Sequence, residues 1–330
     1  MTDYHYSKSK YQKKKRKQKQ KTLLLFLTLI LLVGLGIFLS SDKGKALFDR
    51  QEGFDQTQEQ DAVADAGLQI HYIDVGQGDA TLILCEGHAM LIDAGNNDMG
   101  TGVWRYLKEQ GVKALDYLIG THPDADHIGG LDVIMTKLDC DTVMMPGVQR
   151  DNATYRDVID TMEYRRYKNT LPVVGQQYRL GSAVFTIVAP DSSYEEEYNN
   201  YSIGILLEYG EKRFLFVGDA ESSSEQEMLR SGFDLRADVL KIGHHGSSDS
   251  TGQEFLDAVN PTYAVISCGK NNDYGHPHER TLNSLKKRDI YVYRTDEQGD
   301  IVLQTDGSVI SFLAKPSTSW KSGWEYKDRR

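Results

Sequence analysis

Short apolar runs recur along the chain from about residue 67 to residue 314, and most of them end in Gly, Asp or His. Their length and their content of Val, Ile, Leu and Tyr are typical of strands that are buried on at least one face. The runs are LQIHYIDV, ATLILC, AMLIDAG, ALDYLIGT, AVFTIVAP, SIGILLEYG, RFLFVGD, ADVLKIG, YAVISCG and IYVYRT.

Longer stretches with helical spacing of apolar residues separate several of these runs. They are TGVWRYLKEQG, DVIMTKL, ESSSEQEMLRSG, GQEFLDAVN and ERTLNSLKKR. Strands cluster first and then alternate with helices, which favours an α/β (α+β) domain whose sheets are covered by helices. We expect this domain to span residues 67–314 and to be followed by a loose polar tail at 315–330.

The N-terminal region has a different pattern. Residues 22–39 hold no charged side chain, and a helix of that length reaches roughly 27 Å, enough to cross a bilayer core. Residues 1–21 are strongly basic. We expect a basic cytoplasmic segment at 1–21, a transmembrane signal-anchor at 22–39 and a polar linker at 40–66, with the rest of the chain outside the cell membrane. A cleaved signal peptide and a nucleic-acid-binding basic arm are the alternatives.

The net charge of the chain limits which classes of molecule it can bind. The whole chain carries −10 and residues 1–21 carry +8, so the remainder carries −18. Such a surface argues against tight nonspecific binding of a polyanion. A local basic patch remains open, and its candidates are Lys241, Arg280, Lys286, Lys287 and Arg288.

The turn GTHPDADHIGG, at 120–130, concentrates candidate chemistry in His122, Asp124, Asp126 and His127. Two carboxylates and two imidazoles that share a pocket would desolvate or repel one another without a cation. A divalent metal removes that penalty, and a mixed set of nitrogen and oxygen ligands accepts several metals. The alternative is a solvated loop with an Asp as helix N-cap.

Four other clusters also follow apolar runs, so their side chains can converge with this turn. They are Asp93 in LIDAG, Asp219 in FLFVGDAE, His244 and His245 in LKIGHHGS, and His276 and His278 in NDYGHPHE. For each, a structural role such as helix capping is the alternative. The Gly-rich DVGQGD at 74–79 lacks phosphate-loop spacing, and we interpret it as a tight turn at the site edge, anchored by Asp74 or Asp79.

Together these motifs, in this order, resemble the metallo-β-lactamase superfamily. Within it the chain is similar to the metallo-β-lactamase-like domain of ComEC-type DNA-uptake proteins, over about residues 68–314. The resemblance implies an αββα four-layer sandwich with a dinuclear metal site at one edge.

The resemblance also implies roles for individual residues. His122 and Asp124 would bind one metal, Asp126 and His127 the other, and Asp219 would bridge both. The pair His244 and His245 would supply a further ligand, with the choice between them open. Asp126 and His276 are the catalytic candidates, and His276 and His278 the substrate-binding candidates. Candidate supporting residues are Asp74, Asp93, Asn200 and Ser202.

Two departures from the family pattern affect one metal position. Asp124 stands where the commoner turn has a histidine, and no histidine occurs between His127 and His244. The place of the missing histidine is taken by EYNNYSIGILL, whose Asn199, Asn200 and Ser202 are poor ligands. One metal position therefore has fewer and harder ligands, which makes Mn or Mg a candidate beside Zn for the two divalent ions.

The resulting hypothesis is a metal-dependent hydrolase of the cell surface, a phosphodiesterase or nuclease that uses a dinuclear metal-bound hydroxide. DNA is the substrate that the resemblance favours, and a cell-wall phosphodiester of the teichoic-acid type is the alternative polymer. A noncatalytic metal-binding accessory domain is the rival class. The oligomeric state stays open.

Overall fold

The structure is a computed structural model that describes residues 67–195 and 197–327. The predicted basic segment 1–21, anchor 22–39 and linker 40–66 lie outside these residues. Within the described ranges, no helix has both the length and the apolar character needed to cross a bilayer.

Two sheets form the centre of the fold. The first has eight strands in the order β15-β14-β1-β2-β3-β4-β5-β6, and the second has seven in the order β13-β12-β11-β10-β9-β8-β7. Strands of the first sheet are β1 (Leu68–Tyr72), β2 (Thr81–Cys85), β3 (His88–Ile92), β4 (Ala114–Ile119), β5 (Asp139–Met144), β6 (Asn169–Thr170), β14 (Ile301–Thr305) and β15 (Ile310–Phe312). Those of the second are β7 (Gln177–Leu180), β8 (Ala183–Ala189), β9 (Gly204–Tyr209), β10 (Lys212–Phe216), β11 (Val239–Lys241), β12 (Tyr263–Ile266) and β13 (Tyr291–Arg294).

Along the chain, most helices connect one strand to the next. The α-helices are α1 (Gly100–Glu109), α2 (Ala125–Ile128), α3 (Leu131–Lys137), α4 (Ala153–Arg165), α5 (Ser222–Arg230), α6 (Gln253–Val259), α7 (Glu279–Lys286), α8 (Thr295–Gln298) and α9 (Gly323–Lys327). Two 3-10 helices occupy Tyr198–Tyr201 and Gly243–Gly246.

Three apolar clusters define the layers. Side chains such as Tyr72, Phe185 and Phe214 pack between the two sheets. Leu107 of α1 and Leu131 of α3 pack with others on the outer face of the first sheet. A third cluster joins α5, α6 and α7 to the outer face of the second sheet. The layers are therefore helix, sheet, sheet, helix, which confirms the predicted αββα sandwich.

Helix α4 was not predicted from the sequence. Its buried residues, Thr154, Val158 and Met162, recur every four positions. Mostly polar side chains lie between them, and Tyr155 and Ile159 pack against the core only partly buried, so one position per turn is fully buried. A stripe this narrow, with a threonine in it, gives a weak helical pattern.

The predicted loose tail is docked onto the domain between residues 315 and 327, so that expectation is wrong there. Gly323 N donates to the carbonyl oxygens of Gly275 and Pro277, at 3.1 Å each. The buried Arg294 donates through Nη1 to the Lys321 carbonyl oxygen at 2.7 Å. These bonds use backbone atoms of the tail, which its polar composition does not reveal.

Strand direction places the candidate site. In the first sheet β3, β4, β5 and β6 are parallel, and in the second β10, β11, β12 and β13 are parallel. Carboxyl ends of parallel strands meet at one edge of a sheet, where α/β folds bind ligands. The candidate residues follow these ends in both sheets.

Candidate metal centre

Asp93 anchors the first half of the centre. Its carboxylate accepts hydrogen bonds from Thr121 N at 2.8 Å and Thr121 Oγ1 at 2.7 Å. Its Oδ2 also lies 2.8 Å from His127 Nδ1. A histidine whose Nδ1–H donates to a carboxylate presents Nε2 as a free ligand atom, so Asp93 orients His127.

The His244/His245 pair lies in the 3-10 helix Gly243–Gly246, which follows β11 of the second sheet. Both residues adopt left-handed backbone angles, with φ of 47° and 53°. His245 Nδ1 lies 2.9 Å from the Ser267 carbonyl oxygen. That oxygen can only accept, so Nδ1 carries the proton and Nε2 faces inward. Its side chain is 1% exposed, against 21% for His244.

One group of side chains in the described residues has the geometry of a cation site. Ligand atoms of Asp79, His127, Asp219 and His245 all lie within 4.8 Å of one another, and all four residues are buried. Asp126 Oδ2 joins them at 3.3 Å from His245 Nε2. The structure thus brings together Asp126, His127, Asp219 and His245 of the predicted set and adds Asp79.

The donor set of this group fits a divalent cation. His127 Nε2 and His245 Nε2 lie 3.3 Å apart, and each has its proton committed to Nδ1 by a hydrogen bond. Asp219 places Oδ1 3.2 Å from His127 Nε2 and Oδ2 3.3 Å from His245 Nε2. Two facing lone pairs beside buried carboxylates require a proton or a metal between them.

Without a metal, protons balance the charge. Burial alone would lower the pKa of His127, but Asp219 and Asp93 raise it well above 6.5. The pKa of His245 is raised in the same way by Asp219 and Asp126. Burial would raise the pKa of Asp219, yet the two imidazoles hold it well below 3.8.

Metal binding at pH 7 should therefore release protons. His127 and His245 are protonated in the metal-free chain because their pKa values are raised, and ligand imidazoles must be neutral. We expect about one proton or more to leave per cation, and the apparent affinity to rise with pH. Calorimetric titration with Mn²⁺ in two buffers of different ionisation enthalpy measures this number. Equal heats in both buffers would contradict the assignment.

His122 lies beside this group but outside it. It is fully buried, and its Nδ1 lies 3.2 Å from Thr121 Oγ1 and 3.3 Å from Ser202 Oγ. Its Nε2 has no hydrogen-bond partner and lies 4.0 Å from Asp219 Oδ2. Burial, then the neighbouring His127, lowers the pKa of His122 to about 3, so its ring is neutral and able to bind a cation.

His244 lies on the same side of Asp219. Its Nε2 is 3.8 Å from Asp219 Oδ2, and its Nδ1 is 3.1 Å from Glu221 Oε1. His122 and His244 therefore offer two nitrogens to a second cation that would share Asp219. Asp124, expected as its carboxylate ligand, forms an ion pair with Arg150 instead.

The segment in place of the missing histidine supports the centre through hydrogen bonds. Ser202 Oγ accepts from Asp219 N at 2.9 Å, which holds the backbone of that residue. Asn200 Oδ1 accepts from Glu221 N and Ser224 N, at 3.1 and 3.2 Å, at the start of α5. Asn199 Nδ2 donates to Glu221 Oε1 at 2.8 Å.

The DVGQGD turn places Asp79 beside His127, Asp219 and His245. Asp79 N donates to the Asp126 carbonyl oxygen at 3.0 Å, and a Cβ on Gly78 would lie 2.3 Å from that oxygen. Only glycine permits this approach. Asp74 lies at the exposed start of the turn, where its Oδ1 accepts from Gly76 N at 3.0 Å.

Lys241 is a residue whose part in the site the sequence did not reveal. It is 2% exposed, and its Nζ lies 2.8 Å from Asp79 Oδ2. From the sequence, a lysine at the end of an apolar run is expected to lie at the surface and to be available to a basic patch. The structure places it inside the domain, so it contributes nothing to a surface patch. Arg288, another patch candidate, pairs with Asp257 at 2.6 Å.

His276 and His278 differ in their surroundings. His276 is 4% exposed, its Nδ1 has no hydrogen-bond partner, and its ring centroid lies 5.4 Å from that of His244. Burial lowers the pKa of His276 to about 3. His278 Nδ1 accepts from Ser248 N at 2.9 Å, and its Nε2 lies 3.1 Å from the Tyr274 carbonyl oxygen. Backbone atoms therefore occupy both nitrogens of His278.

Comparisons with known proteins agree with this geometry. The family model of the metallo-beta-lactamase superfamily matches residues 73–270. ComE operon protein 3 of Bacillus subtilis (strain 168) is 30% identical over 266 residues, which cover 75% of this chain and 34% of the relative. Competence protein ComA of Neisseria gonorrhoeae is 29% identical over 241 residues, covering 72% of this chain and 32% of the relative. The chain thus spans about a third of the length of these relatives.

A solved structure supports the fold alone. CmlA, a diiron β-hydroxylase from Streptomyces venezuelae, superposes with a TM-score of 0.51 at 13% identity, covering 73% of this chain and 54% of its own. The sandwich, the clustered Asp and His side chains and the family match agree with one another. The chain belongs to the metallo-β-lactamase superfamily and is similar to its competence-associated members.

Proposed function

We propose that this protein is a metal-dependent phosphodiesterase. The observation that carries the proposal is the buried group of Asp79, His127, Asp219 and His245, extended by Asp126. Its ligands surround the carboxylate of Asp219, whose Oδ2 also lies 3.8 Å from His244 Nε2. Glu221, 3.1 Å from His244 Nδ1, lines a cleft of about 250 Å³. Buried ligands with an accessible rim suit hydrolysis better than a closed structural site.

Divalent cations held by these residues would supply Lewis-acid chemistry, namely activation of water and stabilisation of charge on a phosphoryl oxygen. The side chains prepare this chemistry. Asp93 and the Ser267 carbonyl oxygen fix the tautomers of His127 and His245. Ser202 holds the backbone of Asp219. Two cations, with Mn or Mg as candidates beside Zn, are part of the proposal.

His276 is the candidate that acts on substrate from outside the ligand set. Its lowered pKa, caused mainly by burial, keeps the ring neutral at pH 7. A neutral imidazole with an unpartnered Nδ1 can bind a phosphoryl oxygen or a leaving-group oxygen by a hydrogen bond. We therefore assign His276 substrate orientation and not proton donation in the resting state.

A nucleic acid is the substrate class that the resemblance to ComEC-type DNA-uptake proteins favours, and one relative, ComA of Neisseria gonorrhoeae, is named a competence protein. The net negative charge of residues 22–330 disfavours binding of a polyanion along the protein surface and favours a substrate held mainly by the metal ions. We propose that the domain acts at the outer face of the cell membrane, tethered by residues 22–39, where a wall phosphodiester is the competing polymer.

The test uses the full-length chain, purified in detergent, stripped with a chelator and reloaded with Mn²⁺, Mg²⁺ or Zn²⁺. We expect metal-dependent cleavage of bis(p-nitrophenyl) phosphate and of at least one polymer among single-stranded DNA, duplex DNA, RNA and teichoic acid. Metal binding without any cleavage would instead support an accessory domain. Absence of metal binding would overturn both readings.

A further inference from the structure

Arg150 contacts Asp124, a carboxylate that the family resemblance predicts to be a metal ligand. It lies in the loop between β5 and α4, and its guanidinium forms an ion pair with the Asp124 carboxylate. Both side chains are about one third exposed, at 33% and 27%. The expected carboxylate of the second cation is therefore already neutralised by a side chain of the same protein.

The segment that replaces the missing histidine also holds Arg150. Its guanidinium carbon lies 4.6 Å from the ring centroid of Tyr198, the first residue of the 3-10 helix Tyr198–Tyr201. Such a cation–π contact fixes a guanidinium over one face of the ring. The loss of a histidine ligand and the placement of an arginine thus involve the same stretch of chain.

Charges in the adjacent cleft make Arg150 distinctive. Of the six described residues that line it, Arg150 alone is cationic, and three are carboxylates. The lining residues are Asp124, Arg150, Glu197, Tyr198, Asn199 and Glu221. This negative cleft attracts a cation, and Arg150 supplies one positive charge where a second metal ion would supply two.

The two cation positions are consequently unequal. The first has four buried ligand residues whose atoms lie within 4.8 Å of one another. The second has His122 Nε2 and His244 Nε2, at 4.0 and 3.8 Å from Asp219 Oδ2. A cation at the second position must displace Arg150 from Asp124 or bind without that carboxylate beside a guanidinium.

We propose that Arg150 competes with the second cation for Asp124, so that the centre binds one divalent cation tightly and a second one at least about tenfold more weakly. This inference rests on the proposed function only for the location of the cations. It makes catalysis by a two-metal form dependent on the ambient metal concentration.

The test titrates the metal-free full-length chain with Mn²⁺, using calorimetry for affinity and electron paramagnetic resonance for spin coupling between paired ions. We expect wild type to take up one ion with an uncoupled spectrum before the second binds. Arg150→Met should tighten the second site by about tenfold and bring the coupled spectrum to lower Mn²⁺ concentration. Arg150→Lys, which keeps the charge, should leave the second site weak.

Arg156→Met is the matched control, because Arg156 pairs with Asp151 at the exposed start of α4 and not with the centre. It should titrate like wild type. The single variant Asp124→Asn should weaken Mn²⁺ binding at the second site further and leave the affinity of the first site within about threefold of wild type. This variant tests the inference even if Arg150→Met misfolds. Equal affinity for two coupled ions in wild type, or an unchanged second site in a folded Arg150→Met, would overturn the inference. Phosphodiester cleavage by that same wild type would leave the proposed function standing.

Discussion

Asp219→Asn should reduce both Mn²⁺ affinity at the first site and phosphodiesterase activity by at least about 100-fold, more than the loss of a residue that merely supports a ligand. The carboxylate of Asp219 lies between 3.2 and 4.0 Å from four imidazole nitrogens. An amide keeps the volume of the side chain but removes its charge. One of its two oxygens also becomes an NH₂ group, which cannot bind a cation.

The measurement is calorimetric Mn²⁺ binding together with cleavage of bis(p-nitrophenyl) phosphate, at fixed pH and with wild type alongside. Asp257→Asn makes the same chemical change on α6, where Asp257 pairs with Arg288 at the surface. This control should keep both properties. If Asp219→Asn folds normally and retains metal affinity within threefold of wild type, the centre is not where we place it.

Lys241→Met should lower the free energy of unfolding of the metal-free protein by about 3–5 kcal/mol, the cost of leaving a buried charge without its partner. Lys241 Nζ bonds Asp79 Oδ2 at 2.8 Å and the Ile242 carbonyl oxygen at 3.2 Å. Methionine fills similar space, so the loss reflects the Asp79 carboxylate, which is 5% exposed, deprived of its lysine partner.

Urea denaturation with a chelator present measures the change, and Lys287→Met on the exposed end of α7 is the control that should cost little. The double variant Asp79→Asn/Lys241→Met should be less destabilised than Lys241→Met, because neither charge is then buried alone. A loss below about 1 kcal/mol, or no recovery in the double variant, would contradict the assigned pairing.

The same pair sets a dependence on pH. Burial would raise the pKa of Asp79, but Lys241 and His245 lower it well below 3.8. A carboxyl whose pKa is lowered by folding stabilises the fold above its unfolded value, and this stability is lost as pH falls through the folded value. The stability that the Asp79 carboxylate gives to wild type should therefore hold from about pH 5 to 8 and be lost only below about pH 4, as urea denaturation at each pH measures.

The positions of Asp93, Asp219 and the His244/His245 pair could be predicted from the sequence for a simple physical reason. Each follows an apolar run that can only be a buried strand, and parallel strands end at one edge of their sheet. Convergence of these side chains then needs no knowledge of distances. The αββα layering followed from the same runs through the family resemblance.

Partners that depend on long-range packing could not be predicted. Asp79 and Lys241 are 162 positions apart, and no local pattern connects them. Arg150 has no motif around it, and its contact with Asp124 depends on how the loop before α4 folds. Which of His244 and His245 is buried in the metal-binding cluster depends on the left-handed backbone angles of both residues, and a sequence of two histidines does not reveal these angles.

The origin of the ligands in two different sheets has a mechanical consequence. His127 lies in α2, which follows β4 of the first sheet, whereas Asp219 and His245 follow β10 and β11 of the second, so a cation bound by all three would act as a crosslink across the sandwich. The three cysteines are buried as free thiols, so no disulfide performs this task. At a metal concentration 100 times the Kd, such a crosslink adds about 2.7 kcal/mol to the native state. The metal supply would then govern the stability of the folded protein as well as the proposed activity.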